Sequence, residues 1–266
     1  MQNTTRFRRF LTPLLAGLLA ASAFSVQAKI TQIRFAVDPS YPPFESKQPD
    51  GSLVGFDIDL GNAICAQLHA KCIWVESSFD SMIPALKARK FDAILSDMGI
   101  TKARLKQIDF TKPIYNTPIR LVGPKGTHLQ PTAKSLRGKR IGVEQGTIQE
   151  NYAKLKWQGH GVDVVSYGDQ EQVESDLLSG RLDAMFTDAV QAEVGFLNQP
   201  RAKGFTLMGK AVTDPDIVGP GTAIGIRKGD KGLKTALDHA VDVLMKDGQF
   251  KKIEQKYFDI NIALPR

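Results

Sequence analysis

The sequence predicts an α/β fold in two lobes joined by two crossing hinge strands. Three observations carry this. Short apolar runs alternate with helical stripes between residues 33 and 95, the same alternation restarts at residue 140, and extended segments at 115–122 and 219–226 follow each block. Alternating strand and helix patterns are the signature of a largely parallel sheet covered by helices. Two crossings leave the first lobe discontinuous, at 29–115 plus 222–266, with the second lobe at 118–219.

Residues 33–37 alternate as a first strand and deliver Asp38 at its carboxyl end. Tyr41-Pro42-Pro43-Phe44 reads as a stiff extended loop, because proline fixes φ and pushes its predecessor toward extended conformations. Gly51 and Gly55 mark turns around a short strand at 53–54. Ile58, Leu60, Ala63, Ile64 and Leu68 make an i, i+3/i+4 stripe and predict a helix over 56–69. A strand at 73–75 follows. Met82, Ile83, Leu86 and Lys87 then belong to a helix with Asp80 or Ser81 as cap. Residues 91–95 are an apolar run that ends a buried strand and runs out into Ser96-Asp97-Met98-Gly99.

The segment 115–122 holds Pro118 and exits at Pro124-Lys125-Gly126, and its first part is the first crossing. Strands are then expected at 140–143, 162–165 and 184–186, with helices at 147–156, 170–179 and 189–197. Gly219-Pro220-Gly221-Thr222 resembles a phosphate-binding loop only superficially. Its glycines precede a strand at 223–226, whereas the dinucleotide fingerprint follows a strand and opens a helix. The second crossing is the better account. Two helices, at 231–246 and 249–257, end the chain around Asp247-Gly248.

At 266 residues the chain is long enough to bury two cores. Its start reads as a secretory signal: Arg6, Arg8 and Arg9, then a mostly apolar 10–24, then Val26-Gln27-Ala28 at the cleavage positions. The apolar stretch is short of the ~20 residues a spanning helix needs. Cleavage after Ala28 is expected, leaving a mature protein in the periplasm. Losing 1–28 removes three positive charges and no negative ones, taking the formal net charge from +7 to +4. No long basic run with interleaved aromatics is present, so nucleic-acid binding has no support. Cys65 and Cys72 are the only cysteines. They are either unpaired core residues or, in an oxidising compartment, a disulfide stapling a helix to the next strand. With His69 they do not complete a closed zinc site. No metal or cofactor is expected.

At the predicted strand ends stand Asp38 to Glu45, then Gly55-Phe56-Asp57-Ile58-Asp59-Leu60, Ser96 to Arg104, Gln145-Gly146-Thr147 and Asp188. Ligands of open α/β sheets sit at that edge, and an arginine such as Arg104 takes a carboxylate in two charge-assisted bonds. As an ordered set running through the whole mature chain, these segments resemble the periplasmic amino-acid-binding proteins of ABC importers, nearest to the lysine/arginine/ornithine- and histidine-binding proteins. The resemblance implies the two-lobed periplasmic-binding-protein (Venus-flytrap) fold, a Cys65–Cys72 disulfide, a monomer, a small cationic amino acid as ligand and membrane permease subunits as partners.

Residue by residue, it implies that Arg104 holds the α-carboxylate with the N–H groups of Gly99, Thr147 and Ile148, the last two opening a helix where the dipole favours an anion. Asp188 takes the α-ammonium with the 96–99 loop, although an Asp before Ala189 is also an ordinary helix cap. Asp38 meets the distal cation, Tyr41 and Phe79 flank it, and Ser96 and Gln149 add hydrogen bonds. Four positions depart from the relatives' pattern. Asp97 replaces a small neutral residue, Gly99 a Ser or Thr, Glu144 a neutral residue and Ile148 a Thr. With Asp38 and Asp188, the two added carboxylates make four against Arg104. Such an imbalance is costly to bury unless the ligand is cationic. Arginine is expected first, then lysine, ornithine or histidine, with room for a modified arginine derivative such as agmatine or an opine-like conjugate. Two rivals exist. One is a same-fold enzyme of the cyclohexadienyl dehydratase type using Glu144 or Asp97 for proton transfer. However, no nucleophile elbow, ligand cluster or paired His supports it. The other is a receptor sensor domain, against which no membrane segment follows residue 29.

Overall fold

The computed structural model describes residues 1–2 and 30–265. The expected apolar leader and its cleavage position lie outside the described residues. The first sheet takes β1 (Gln32–Val37), β5 (Lys71–Glu76), β6 (Ala93–Ile94), β7 (Asp109–Phe110) and β13 (Gly225–Ile226) in the order β5-β1-β6-β13-β7. β1 runs parallel to β5 and β6, with Phe35 opposite both Trp74 and Ala93, and β13 runs antiparallel between β6 and β7. The second sheet takes β8 (Ile119–Pro124), β9 (Arg140–Glu144), β10 (Asp163–Tyr167), β11 (Ala184–Asp188) and β12 (Phe205–Val212) in the order β10-β9-β11-β8-β12. Here β9, β10 and β11 are parallel and β8 antiparallel. The two orders match position by position. In each, three parallel strands meet an antiparallel strand that the chain supplies after crossing the waist.

Helices cover both sheets as the stripes require. α1 (Phe56–Gln67) buries Phe56, Leu60 and Ile64 against α7 (Lys231–Lys246) and α8 (Gln249–Tyr257), which contribute Leu237, Val241, Leu244 and Phe250. α2 (Met82–Lys87) places Met82 and Leu86 on the other face with Phe91, Ile94 and Ile108. In the second lobe α5 (Ile148–Lys156) and α6 (Gln170–Leu178) bury cores around Trp157 and Phe186, and around Val173, Leu177 and Met185. Asp169 and Asp230 cap α6 and α7 through their side chains. Ser81, one of the two residues expected to cap α2, stands at its N-cap but makes no capping bond through its side chain, because a tight turn at Phe79–Ser81 runs straight into the helix.

Four features went unread in the sequence. β2 (Ser40–Tyr41) and β3 (Glu45–Lys47) replace the plain loop and join β4 (Leu53–Val54), the short strand expected at 53–54, in a small sheet. α3 (Lys102–Leu105), α4 (Ala133–Leu136) and β7 are each too short to leave a periodic signal. β12 carries Gly209 at φ 60° and a register shift after Met208, which break its alternation. The segment 262–264 pairs with the first crossing at the waist. There Thr222 N–H donates to Tyr115 O (2.8 Å), Ile114 N–H to Thr222 O (2.8 Å), Asn116 N–H to Ile262 O (3.0 Å) and Leu264 N–H to Ile114 O (2.9 Å). The Tyr115 ring stacks on Phe44 at 5.7 Å and meets the edge of Phe56 at 5.4 Å. Cys65 and Cys72 form a disulfide between the end of α1 and β5.

Candidate functional site

A cleft lies between the lobes at the carboxyl ends of β1, β6, β9 and β11, and all twelve residues singled out from the sequence line it. From the first lobe, Asp38 follows β1. Its N–H donates to Ser96 Oγ (3.0 Å), and its carboxylate accepts the Phe79 N–H (2.9 Å), so the 77–81 turn is tied to the floor of the cleft. Burial lifts the Asp38 pKa. The Ser96 hydroxyl donates in turn to Glu45 (2.7 Å) and is therefore already engaged within the protein.

Arg104 enters from α3, which Thr101 caps through its side chain. Its guanidinium lies 5.2 Å from the centre of the Phe79 ring, donates to Gly99 O (2.7 Å) on its own lobe and reaches Gly146 O (3.0 Å) on the other. A stacked, forked cation so held is oriented for a planar anion. Its burial lowers the pKa to about 10, and the Asp97 carboxylate pulls the other way. Gly99 bridges Thr222 at the waist, with ladder bonds running from Ile100 N–H and Ala223 N–H on either side. The Gly99 N–H is therefore not used by that ladder.

The second lobe offers the start of α5 across the cleft. Thr147 caps it, accepting from Glu150 N–H (3.1 Å) and donating to Glu144 O (2.6 Å). The first N–H groups of a helix have no intrahelical acceptor. Ile148 leans over Gly99, where a Cβ would fall 2.5 Å from its Cδ1. Gln149 lines the same wall. Glu144 is buried, and its carboxyl is pushed well up by desolvation and then by Asp38.

Asp188 ends β11. Its Oδ1 accepts from Val190 N–H (2.8 Å) and Gln191 N–H (3.1 Å), so it does cap the following helical segment while also facing the cleft. Burial lifts it to about 6 against those bonds and a hydrogen bond from Thr117. Tyr41 spans the lobes: its hydroxyl pairs with Thr187 Oγ1 (2.9 Å) and accepts from Asp188 N–H (3.2 Å).

Two carboxyls beneath the cleft escaped the sequence reading. Glu45 is 1 % exposed, lines the cleft, and is pushed well up by burial and then by Asp57. Asp57 is fully buried, accepts the Tyr115 hydroxyl on both oxygens (3.0 Å each) and the Asp97 N–H (2.8 Å), and is lifted to about 7 by its burial. Both were visible in the segments quoted above, but a Glu opening a strand and an Asp in a first helical turn read as solvent-facing. Thr117 and Thr222 at the waist also line the cleft. Five carboxyls, Asp38, Glu45, Asp97, Glu144 and Asp188, thus face it against one guanidinium.

The family model of the bacterial extracellular solute-binding proteins, family 3, matches residues 33–260. The lysine/arginine/ornithine-binding periplasmic protein of Escherichia coli (strain K12) is 47% identical over 249 residues, 94% of this chain and 95% of that protein. The histidine-binding periplasmic protein of Salmonella typhimurium is 45% identical over 252 residues, 95% and 96% of the two chains. Among solved structures, an ancestral arginine-binding protein bound to arginine superposes with a TM-score of 0.80 at 33% identity, over 86% of this chain and 99% of that one.

Proposed function

The chain belongs to the bacterial extracellular solute-binding proteins, family 3, and on that ground we propose that it is the periplasmic binding component of an ABC importer, capturing a cationic amino acid and presenting it to the membrane permease. Arginine is the first candidate, then lysine, ornithine and histidine. The observation that carries this reading is the acidic excess of the cleft, Asp38, Asp97, Glu144 and Asp188 around Arg104, with Glu45 behind them. A ligand with two cationic groups and one carboxylate offsets that excess, whereas a neutral amino acid does not.

In this reading Arg104, with the N–H groups of Gly99, Thr147 and Ile148, holds the α-carboxylate, and Asp188 the α-ammonium. Asp38 and Glu144 meet the distal cation between Tyr41 and Phe79, where cation–π attraction adds ~1–2 kcal/mol once water is excluded. Because the partners are divided between the lobes, the ligand makes its full contacts only in the shut form. That differential contact shifts the open–shut equilibrium. The names of the relatives support binding over turnover: each is called a binding protein.

Calorimetry of the purified protein with the four basic amino acids and with glutamine tests the ligand class. Arginine or another basic amino acid should bind, and glutamine should bind at least ~100-fold more weakly. In Asp188→Ala, arginine affinity should fall by about 2–5 kcal/mol, the cost of stripping one member of a buried charged pair. Unchanged arginine binding in that variant would exclude the placement of the ammonium. Preferred binding of a neutral amino acid would exclude the ligand class.

A further inference from the structure

We propose that Asp97 is a second carboxylate for the ligand's α-ammonium, forming with Asp188 a clamp that takes one carboxylate from each lobe and so makes closure depend on a cation at that point. This rests on the reading of the cleft as a site for a cationic amino acid.

Asp97 has a backbone conformation that few residues other than glycine adopt, although aspartate tolerates it better than most. Its φ is 40°, in the left-handed region that disfavours residues other than glycine. The surroundings hold it there. Its N–H donates to Asp57 Oδ2 (2.8 Å), and Asp57 is itself fixed by the Tyr115 hydroxyl. The Thr222 hydroxyl donates to Asp97 Oδ1 (2.9 Å). Three segments of the first lobe and waist therefore aim one carboxylate into the cleft, an outlay of backbone strain of the kind concentrated at ligand-holding positions.

Asp188 reaches the same cleft from the opposite sheet, its own orientation fixed by two backbone N–H groups. The two carboxylates act on each other: after burial, the Asp188 charge is the largest influence raising Asp97. With the lobes apart, water and salt screen the pair. Shutting the cleft removes that screen, so the pair must either repel or take up a proton. An ammonium between them reverses the sign, turning a barrier to closure into an attraction. Arg104 feels the Asp97 charge, but its guanidinium is tied to Gly99 O and Gly146 O over the Phe79 ring and forms an ion pair with neither carboxylate among the described residues. The consequence is discrimination on the amino group. A guanidinium acid lacking that group satisfies Arg104 and the distal carboxylates but leaves Asp97 and Asp188 facing each other.

The test is calorimetry of wild type, Asp97→Asn and Asp97→Gly with arginine and with 5-guanidinopentanoate, its analogue without the α-amino group. Glycine suits the left-handed backbone, so it keeps the test informative if the asparagine variant misfolds. Small-angle scattering of each ligand-free protein is the second readout. The expected result is that wild type prefers arginine by at least ~1000-fold, that either variant narrows this ratio by at least ~10-fold, and that the ligand-free variants are more compact than wild type. A preference unchanged in both variants, or a variant that binds arginine more tightly, overturns the clamp while leaving the cationic amino-acid site standing. Failure of wild type to bind any basic amino acid overturns both.

Discussion

Glu45 shows how one buried side chain can set the state of its neighbours. Its Oε1 accepts the Ser96 hydroxyl, and its Oε2 is buried with no partner among the described residues. Burial, and then the Asp57 charge, drives the Glu45 carboxyl well up. A neutral Glu45 fits both facts, since an uncharged carboxyl is the less costly form where one buried oxygen has no donor. Glu45→Gln, which keeps a donor and an acceptor, should then stay within about 1 kcal/mol of wild type in denaturant unfolding. Glu45→Ala strands the Ser96 hydroxyl, opens a cavity and should cost about 2–4 kcal/mol. A glutamine variant as unstable as the alanine one would mean that Glu45 is charged. The sequence could not reveal this pair. Their burial comes from β3 and α1 meeting over Phe44, a contact set by tertiary packing rather than by local periodicity. Asp38, Arg104 and Asp188 were legible because each follows a strong strand or loop signal at a sheet edge.

At the level of elements, the helical segment Gln191–Leu197 has the wider, π-type winding, and Gly195 within it lies against the turn that joins β2 to β3. A Cβ at Gly195 would overlap the carbonyl oxygen of Pro42 on the other lobe. Alanine is the better helix former here by ~1 kcal/mol, so Gly195→Ala leaves the second lobe intact and acts on how the lobes meet. The expected outcome is a larger radius of gyration in the presence of arginine and an arginine affinity at least ~10-fold weaker, with secondary structure by circular dichroism unchanged. Retained affinity and compactness would show that the hairpin yields instead. The sequence indicated a helix over 189–197 with no sign of this approach, since a glycine in a helical stripe looks like a mere weakness. Long stripes such as 231–246 and 249–257 were legible to the residue. β2, β3 and β7, of two or three residues, carry too few positions for a period to show.

For the molecule as a whole, the buried carboxyls govern the response to pH. Asp188 and Asp57, at about 6 and about 7, and Asp97, Glu144 and Glu45, pushed well up, all bind protons in the folded state above the range where the unfolded chain releases them. The folded form thus carries more protons than the unfolded one between about pH 4 and 7, and stability of the ligand-free protein falls as pH rises through that window. Depressed groups such as Asp92 and Asp183, each beside a basic side chain, oppose this only below the ordinary carboxylate range. Binding of a cation should run the other way, strengthening from pH 5 to 7.5 with release of protons. Thermal melts at pH 5 and 7.5, with calorimetry in buffers of different ionisation enthalpy, measure both signs. A ligand-free protein more stable at pH 7.5, or binding without proton release, would contradict this account.

The waist also orders the chain in time. The first sheet lacks the strand between β6 and β7 until Gly225–Ile226 has been made, and Tyr115 lacks its neighbour until residues 262–264 follow. The second sheet, by contrast, is complete once residue 212 is out. During synthesis, therefore, one half can settle while the other waits for residues 225–226 and 262–264. Non-local pairing of this kind is slow, and it leaves the first sheet open until those segments arrive.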